Sequence, residues 1–171
     1  VKSSDFESQF ARIDPAQLET ADRWILARLI ETTRKIEGNF ERYEMPQYCE
    51  QLYAFLWSDY CDWYVEIVKP RLRDEANRDN ALAVIDLVLR QGLLLLHPVL
   101  PFITEELFQG LGFAVEGKLL QDNRVAKADE IEAGLKAQGI EISDTTANEL
   151  ESLKEFITRA RALKAQYRLA N

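Results

Sequence analysis

Histidine is almost absent from this 171-residue chain: His97 is the only one, and Met45 is the only methionine. A single histidine, followed by a proline inside an apolar run, is poor material for a metal centre or for a base that activates a serine. It reads as a packed or helix-terminal residue. There is no Cys-x-x-Cys, no paired histidine and no Gly-x-Ser-x-Gly. Glycine is too sparse for a phosphate-cradling loop, and Gly110-Leu111-Gly112 has no preceding strand and no third glycine, so it reads as a helix stop. The two cysteines, Cys49 and Cys61, stand twelve residues apart on one predicted helix. That places them roughly 18 Å apart, out of disulfide reach. Two unpaired thiols in a helix core point to a reducing, cytoplasmic setting. Long apolar runs are also missing. Residues 93–102 are interrupted by Pro98 and Pro101 and are too short to span a bilayer, so no membrane contact is expected.

Basic residues are outnumbered, 21 against 29 acids, giving a net charge of −8. A nucleic-acid binder normally carries a basic footprint. The charge is uneven, however. Residues 114–151 hold nine acids and four bases, whereas 152–171 hold Lys154, Arg159, Arg161, Lys164 and Arg168 against Glu155 alone. Only the local surface meets a phosphate.

Aromatic residues are plentiful and concentrated. The stretch 48–72 carries Trp57 and Trp63, four of the six tyrosines and both cysteines. At helical spacing Leu52, Leu56, Trp63 and Ile67 form one stripe, and Trp57, Cys61, Tyr64, Val65 and Val68 form a second. A helix apolar around most of its circumference is buried against several neighbours, so 46–69 is read as the central helix of a bundle, with Trp57, Cys61 and Tyr64 pointing inward. Pro70 stops it. Glu66 and Lys69 sit on the remaining polar face.

Around that helix the chain reads as follows. Residues 1–19 are an irregular lead-in, the opening of a piece cut from something longer. A helix over 20–44, capped by Thr20, presents Ile25, Leu29, Ile36, Phe40 and Tyr43. Gly38 within it is either a weak spot or a close crossing with the central helix, the weak spot being favoured. A third helix over 74–97 faces inward with Ala81, Leu82, Ile85, Leu89, Gly92, Leu93 and Leu96, widened by Val84, Val88, Leu94 and Leu95. A fourth follows at 101–111. Short links imply antiparallel neighbours. Residues 113–128 are extended or looped, a short helix occupies 129–138, and Ile140–Ile142 is a brief strand. Thr146 and Glu149 match a capping box opening a last helix over 146–168, with Leu150, Leu153, Ile157, Ala160 and Tyr167 on one face. The fold class is therefore all-α, an antiparallel helix bundle with a small C-terminal appendage. The divisions are 1–19, 20–112, 113–145 and 146–171.

Asp59 and Asp62, three apart among aromatics, are candidate general acids. The structural reading is favoured: no second catalytic partner is visible, and a buried carboxylate needs a cation, here Arg23 or Arg28, or a tyrosine hydroxyl. No catalytic residue is assigned, and no metal or cofactor site.

Four stretches carry a resemblance. Tyr53-Ala-Phe-Leu-Trp57, Cys61-Asp-Trp-Tyr64, Glu66 and Lys69-Pro-Arg-Leu72 resemble the central helix of the helical anticodon-binding domain of valyl-tRNA synthetases. Asp22-Arg-Trp-Ile-Leu-Ala-Arg-Leu29 is similar to that family's opening helix. Leu94-Leu-Leu-His-Pro-Val-Leu-Pro-Phe-Ile-Thr-Glu-Glu-Leu107 is similar to a helix junction shared with isoleucyl and related class I synthetases. Arg161-Ala-Leu-Lys-Ala-Gln-Tyr167 resembles the helix that follows the bundle. The Cys-Asp-Trp-Tyr sequence is the part that points to valine, while Met45 departs from the family's usual aromatic and 113–151 follow no common pattern. The resemblance implies an anticodon-arm binding domain from an enzyme that joins valine to its tRNA using ATP and Mg. The ATP-binding signatures His-Ile-Gly-His and Lys-Met-Ser-Lys-Ser are absent, so this chain is expected to hold no cofactor and to catalyse nothing alone. Implied partners are tRNA(Val) and the rest of the synthetase chain, with the protein a monomer. RNA loops are read by bases resting on aromatic or guanidinium faces, with Lys and Arg on phosphates. The candidate RNA-binding residues are Lys69, Arg71, Arg73, Arg161, Lys164 and Arg168. Trp24, Trp57 and Trp63 are expected in the core. The alternatives are the same domain of isoleucyl-tRNA synthetase and a helical protein–protein module without RNA.

Overall fold

The computed structural model describes residues 9–114, 117–142 and 144–166. Among them are six helices and no strand: α1 (Thr20–Glu41), α2 (45–68), α3 (Glu75–Leu96), α4 (Pro101–Gly110), α5 (Ala128–Ala137) and α6 (Asp144–Gln166). Short 3₁₀ turns lie at Pro15–Gln17, Arg71–Arg73 and Leu120–Asp122. The all-α bundle expected from periodicity is the observed class.

The hub is α1 rather than the aromatic helix. It packs against α2, α3, α5 and α6, while α2 packs chiefly on α1 and α3. The reason lies in what α1 buries. Trp24, Ile25, Leu26, Leu29 and Ile30 go into the main core, and Asp22, Thr32, Thr33, Ile36 and Asn39 are also buried. Thr33 is satisfied within the helix, its Oγ1 donating to the Leu29 carbonyl at 2.7 Å. Thr20 is the first helical residue, not the cap. Asp22 takes the Glu19 N–H at 2.9 Å instead. At the far end Phe40, in the last turn of α1, and Tyr43, just past its end in the left-handed region at φ 57°, face solvent rather than the core. Gly38 makes no crossing with α2, and a Cβ there would meet only the Arg42 side chain.

The aromatic helix is one rod of three parts: α-helical Met45–Tyr53, π-helical Ala54–Tyr64 and α-helical Val65–Val68. In the π part each turn holds an extra residue, so a stripe laid out at the α period slips around the rod. Buried positions become Leu52, Phe55, Asp59, Tyr60, Tyr64 and Val68, with Phe55 to Tyr60 and Asp59 to Tyr64 each five apart. Trp57 is 58% exposed, and Cys61 and Ile67 also face outward, while Leu56, Trp63 and Val65 are half-buried. Of the three residues expected to point inward, only Tyr64 does. Both cysteines are free and exposed, so neither is a core thiol.

In α3 the buried face is centred on Ala81, Ala83, Val84, Leu87, Val88 and Gln91–Leu95. Leu82, Ile85, Leu89 and Leu96 are half-buried at its edges. Gly92 marks a close crossing: a Cβ there would stand 2.5 Å from Leu56 Cδ2 of α2. His97 ends α3, and its Nδ1 lies 2.8 Å from Thr104 Oγ1 on α4, which in turn donates to the Leu100 carbonyl. It is a satisfied junction residue. Phe108, Phe113 and Leu120 form a second small core with Leu93 and Leu94, and Arg90 lies over the Phe108 ring at 5.2 Å. Ile140 is buried, but 140–142 has no strand partner. α6 opens at Asp144, so Thr146 lies inside the helix and not at its cap.

Candidate functional site

The end of α2 delivers three of the expected cations, and they meet different surroundings. Pro70 breaks the hydrogen-bond ladder and the chain turns through Arg71–Arg73 before Asp74 caps α3 by accepting from Ala76 N–H at 3.1 Å. Lys69 is exposed and paired with Glu66, one turn earlier. Arg71 folds back. Its Nη1 lies 2.6 Å from Asp22 Oδ2, its Nε 3.2 Å from Glu19 Oε1, and its side chain is only 10% exposed. Asp22 is fully buried and also accepts from the Tyr64 hydroxyl at 2.8 Å. Arg71, Asp22 and Tyr64 therefore tie the end of α2 to the start of α1, and the guanidinium is occupied. Arg73 faces solvent with no ion pair among the described residues. Arg78, exposed in the first turns of α3, stands five residues on. Nothing in its spacing separated it from an ordinary surface arginine, and only its place on the helix that packs against the 71–73 turn draws it in.

Three further candidates belong to the last helix. The side chains of Arg161 and Lys164, and the whole of Arg168, lie outside the described residues. What the structure does give is how α6 is anchored. Leu150 is buried against the main core, and the Trp24 indole N–H donates to Glu151 at 2.8 Å. Lys154 Nζ donates to Asp59 Oδ1 at 2.7 Å and to Glu151 at 3.2 Å. The same ammonium stands 4.5 Å from the Trp24 ring centre and 5.9 Å from that of Trp63. Asp59 accepts a second charged bond from Arg28 Nε at 2.8 Å. The structural reading of Asp59, with Arg28 as its partner, is the arrangement found. Arg23 instead reaches the carbonyls of Pro15 and Glu141, and Asp62 is exposed on the other side of the rod. Lys154 was legible only as one of several basic residues on a polar helix. Its partner is 95 positions away.

The aromatic residues separate in the same way. Trp24 is fully buried and Trp63 half-buried beneath Lys154, in keeping with a core role. Trp57 is not in the core. It stacks on Tyr53, ring centres 5.8 Å apart and planes 7° from parallel, with Tyr53 63% exposed.

Among the described residues this arrangement offers exposed Lys69 and Arg73 at the α2–α3 turn and a last helix anchored to the core through Leu150, Glu151 and Lys154. A family model described as the anticodon-binding domain of tRNA ligase matches residues 22–171. The valine–tRNA ligase of Mycolicibacterium paratuberculosis is 33% identical over 167 residues, covering 96% of this chain and 17% of that protein. That of Thermotoga maritima is 38% identical over 152 residues, covering 89% of this chain and 16% of that protein. That of Clostridium acetobutylicum is 44% identical over 101 residues, covering 58% of this chain and 12% of that protein. The chain thus spans 12–17% of the length of these curated relatives.

Proposed function

The chain belongs to the anticodon-binding domain family of tRNA ligases, and from that premise we propose that it docks the anticodon arm of tRNA(Val) within a valine–tRNA ligase. The observation that carries the assignment to valine is a relative of that name aligned along 96% of the chain. In this reading the complete enzyme is cytoplasmic and monomeric, attaches valine to its tRNA, and holds ATP and Mg in parts beyond this chain. The bundle over 20–112 and the helix that follows it serve as a handle for the RNA.

The physical role is positioning. Lys69 and Arg73 supply exposed charge at the α2–α3 turn, and Arg161, Lys164 and Arg168 supply it from the last helix, each phosphate contact releasing counterions. Arg71 orients this surface from within through Asp22 rather than touching RNA. The Lys154–Asp59 anchor fixes the direction in which α6 presents its cations.

The test is a titration of the complete gene product with valine tRNA and with an anticodon-altered version at several salt concentrations. The expected result is salt-dependent binding that weakens when the anticodon is changed. Equal affinity for both tRNAs, or binding indifferent to salt, overturns the reading.

A further inference from the structure

A groove of about 420 Å³ opens between α2 and the end of α3. It is lined by Leu52 and Leu56, by Leu96, and by the exposed Val99 and Leu100, with the stacked Tyr53 and Trp57 along one side. Phe102, the second residue of α4, is 90% exposed. Contiguous apolar surface of this kind marks a place that something covers.

Charge selects among the occupants. Both sides of the groove come from stretches without a single lysine or arginine. Residues 43–68 hold Glu44, Glu50, Asp59, Asp62 and Glu66 with no base, and residues 91–117 hold Glu105, Glu106 and Glu116 with no base. Of these, Asp59 is neutralised internally and Glu66 pairs with Lys69, while Glu50, Asp62 and Glu106 remain exposed. RNA stacking on Trp57 would bring phosphates against those carboxylates with no cation beside them. A second copy would bring the same acids together, in a chain of net charge −8. The surface fits an apolar segment flanked by positive charge. From Cys49 to Trp57 the α2 side of the groove is about 12 Å long, two turns of a partner helix.

We propose that this groove seats an amphipathic helix from the remainder of the polypeptide, apolar at i, i+3 or i+4, and i+7, with Lys or Arg on its flanks. The inference rests on the reading that this chain is one domain of a longer ligase, since the relatives extend far beyond the matched segment. It adds which face of the domain is the internal joint, and separates that face from the α2–α3 turn offered to RNA.

The experiment places a photocrosslinker at the groove, Trp57→p-benzoylphenylalanine, in the complete gene product, with and without tRNA. Peptide mapping after irradiation is expected to find an intrachain link to a segment outside residues 1–171 with the stated pattern. In the unsubstituted protein, Cys49, which lines the groove, is expected to react with N-ethylmaleimide about tenfold more slowly than Cys61, because labelling must wait for the joint to open. The second measurement needs no variant. A crosslinked dimer, a crosslink to tRNA, or no crosslink together with Cys49 as reactive as Cys61 would each overturn the proposal. Failure of the tRNA-docking reading registers separately, as loss of anticodon-dependent binding with the crosslink unchanged.

Discussion

Arg71 and Arg73 are two residues apart in one 3₁₀ turn and are expected to respond in opposite ways to substitution. Arg71→Ala leaves the fully buried Asp22 with only the Tyr64 hydroxyl and the Glu19 N–H. Removing one partner of a buried pair costs about 3 kcal/mol. We expect urea denaturation to register that loss, and an unchanged midpoint would refute the buried pair. Arg73→Glu should leave the midpoint where it was, weaken tRNA binding, and reduce the slope of log affinity against log salt by about 1. If the slope stays the same, Arg73 does not meet a phosphate. Asp59 gives a third outcome at this scale. Asp59→Ala takes the shared buried carboxylate from Arg28 and Lys154, leaving them only Glu31 and Glu151, so about 3 kcal/mol should go and the anchoring of α6 should loosen. Faster amide exchange along α6 than along α3 is the measurement, and uniform exchange would count against the anchor. The sequence offered Arg28 as one of three partners for Asp59, beside Arg23 and a tyrosine hydroxyl, because a buried acid needs a partner; the fold chose Arg28. It gave no means of choosing Arg71 as internal and Arg73 as external. Both are arginines in a basic tripeptide, and only the fold decides which one turns toward Asp22.

Helix ends and helix types were legible to different degrees. Pro46, Pro70 and Pro101, with Gly110 and Gly112, set boundaries that the structure keeps to within a few residues, because proline and glycine act locally. The interior of α2 was not legible. Its apolar residues surround the rod, so no single stripe distinguishes an α from a π winding. The winding is chosen by what Asp59, Tyr60 and Tyr64 find on α1, α3 and α6. The crossing of α2 and α3 gives a test at this scale. Gly92→Ala presses a methyl into Leu56 and is expected to cost about 1–3 kcal/mol. Adding Leu56→Ala should recover part of that loss, so the two effects should fail to add in a double-mutant cycle. Strict additivity would mean that the helices do not touch there.

For the whole molecule, three tyrosines set the alkaline limit. Burial, aided by Cys49, pushes the Tyr48 hydroxyl up to about 12 from its ordinary 10.0. Burial raises Tyr60 and Tyr64 as well, with Cys61 and Asp86 adding for Tyr60 and Asp22 for Tyr64. The folded pKa lies above the unfolded one in every case, so each contributes stability that is complete below about pH 10 and is lost as pH rises through the folded value. A melting temperature level to about pH 9.5 and falling above pH 10 is expected, with tyrosinate absorbance growing as the fold is lost. All six tyrosines titrating near pH 10 in a protein that keeps its native circular dichroism would contradict the buried positions.

By itself the sequence determined that this protein is helical, where most of its helices begin and end to within a few residues, and which family it belongs to. Those properties follow from composition, local periodicity and short-range stops, each written within a few consecutive residues. Tertiary structure alone decided that α1 rather than the aromatic rod is the hub, that Trp57 lies outside and Tyr64 inside, and that Arg71 is spent within the fold while Arg73 faces solvent. Such choices depend on partners dozens of positions away, and the free energy that settles them comes from burying charge beside its opposite and rings beside rings, which no local pattern encodes.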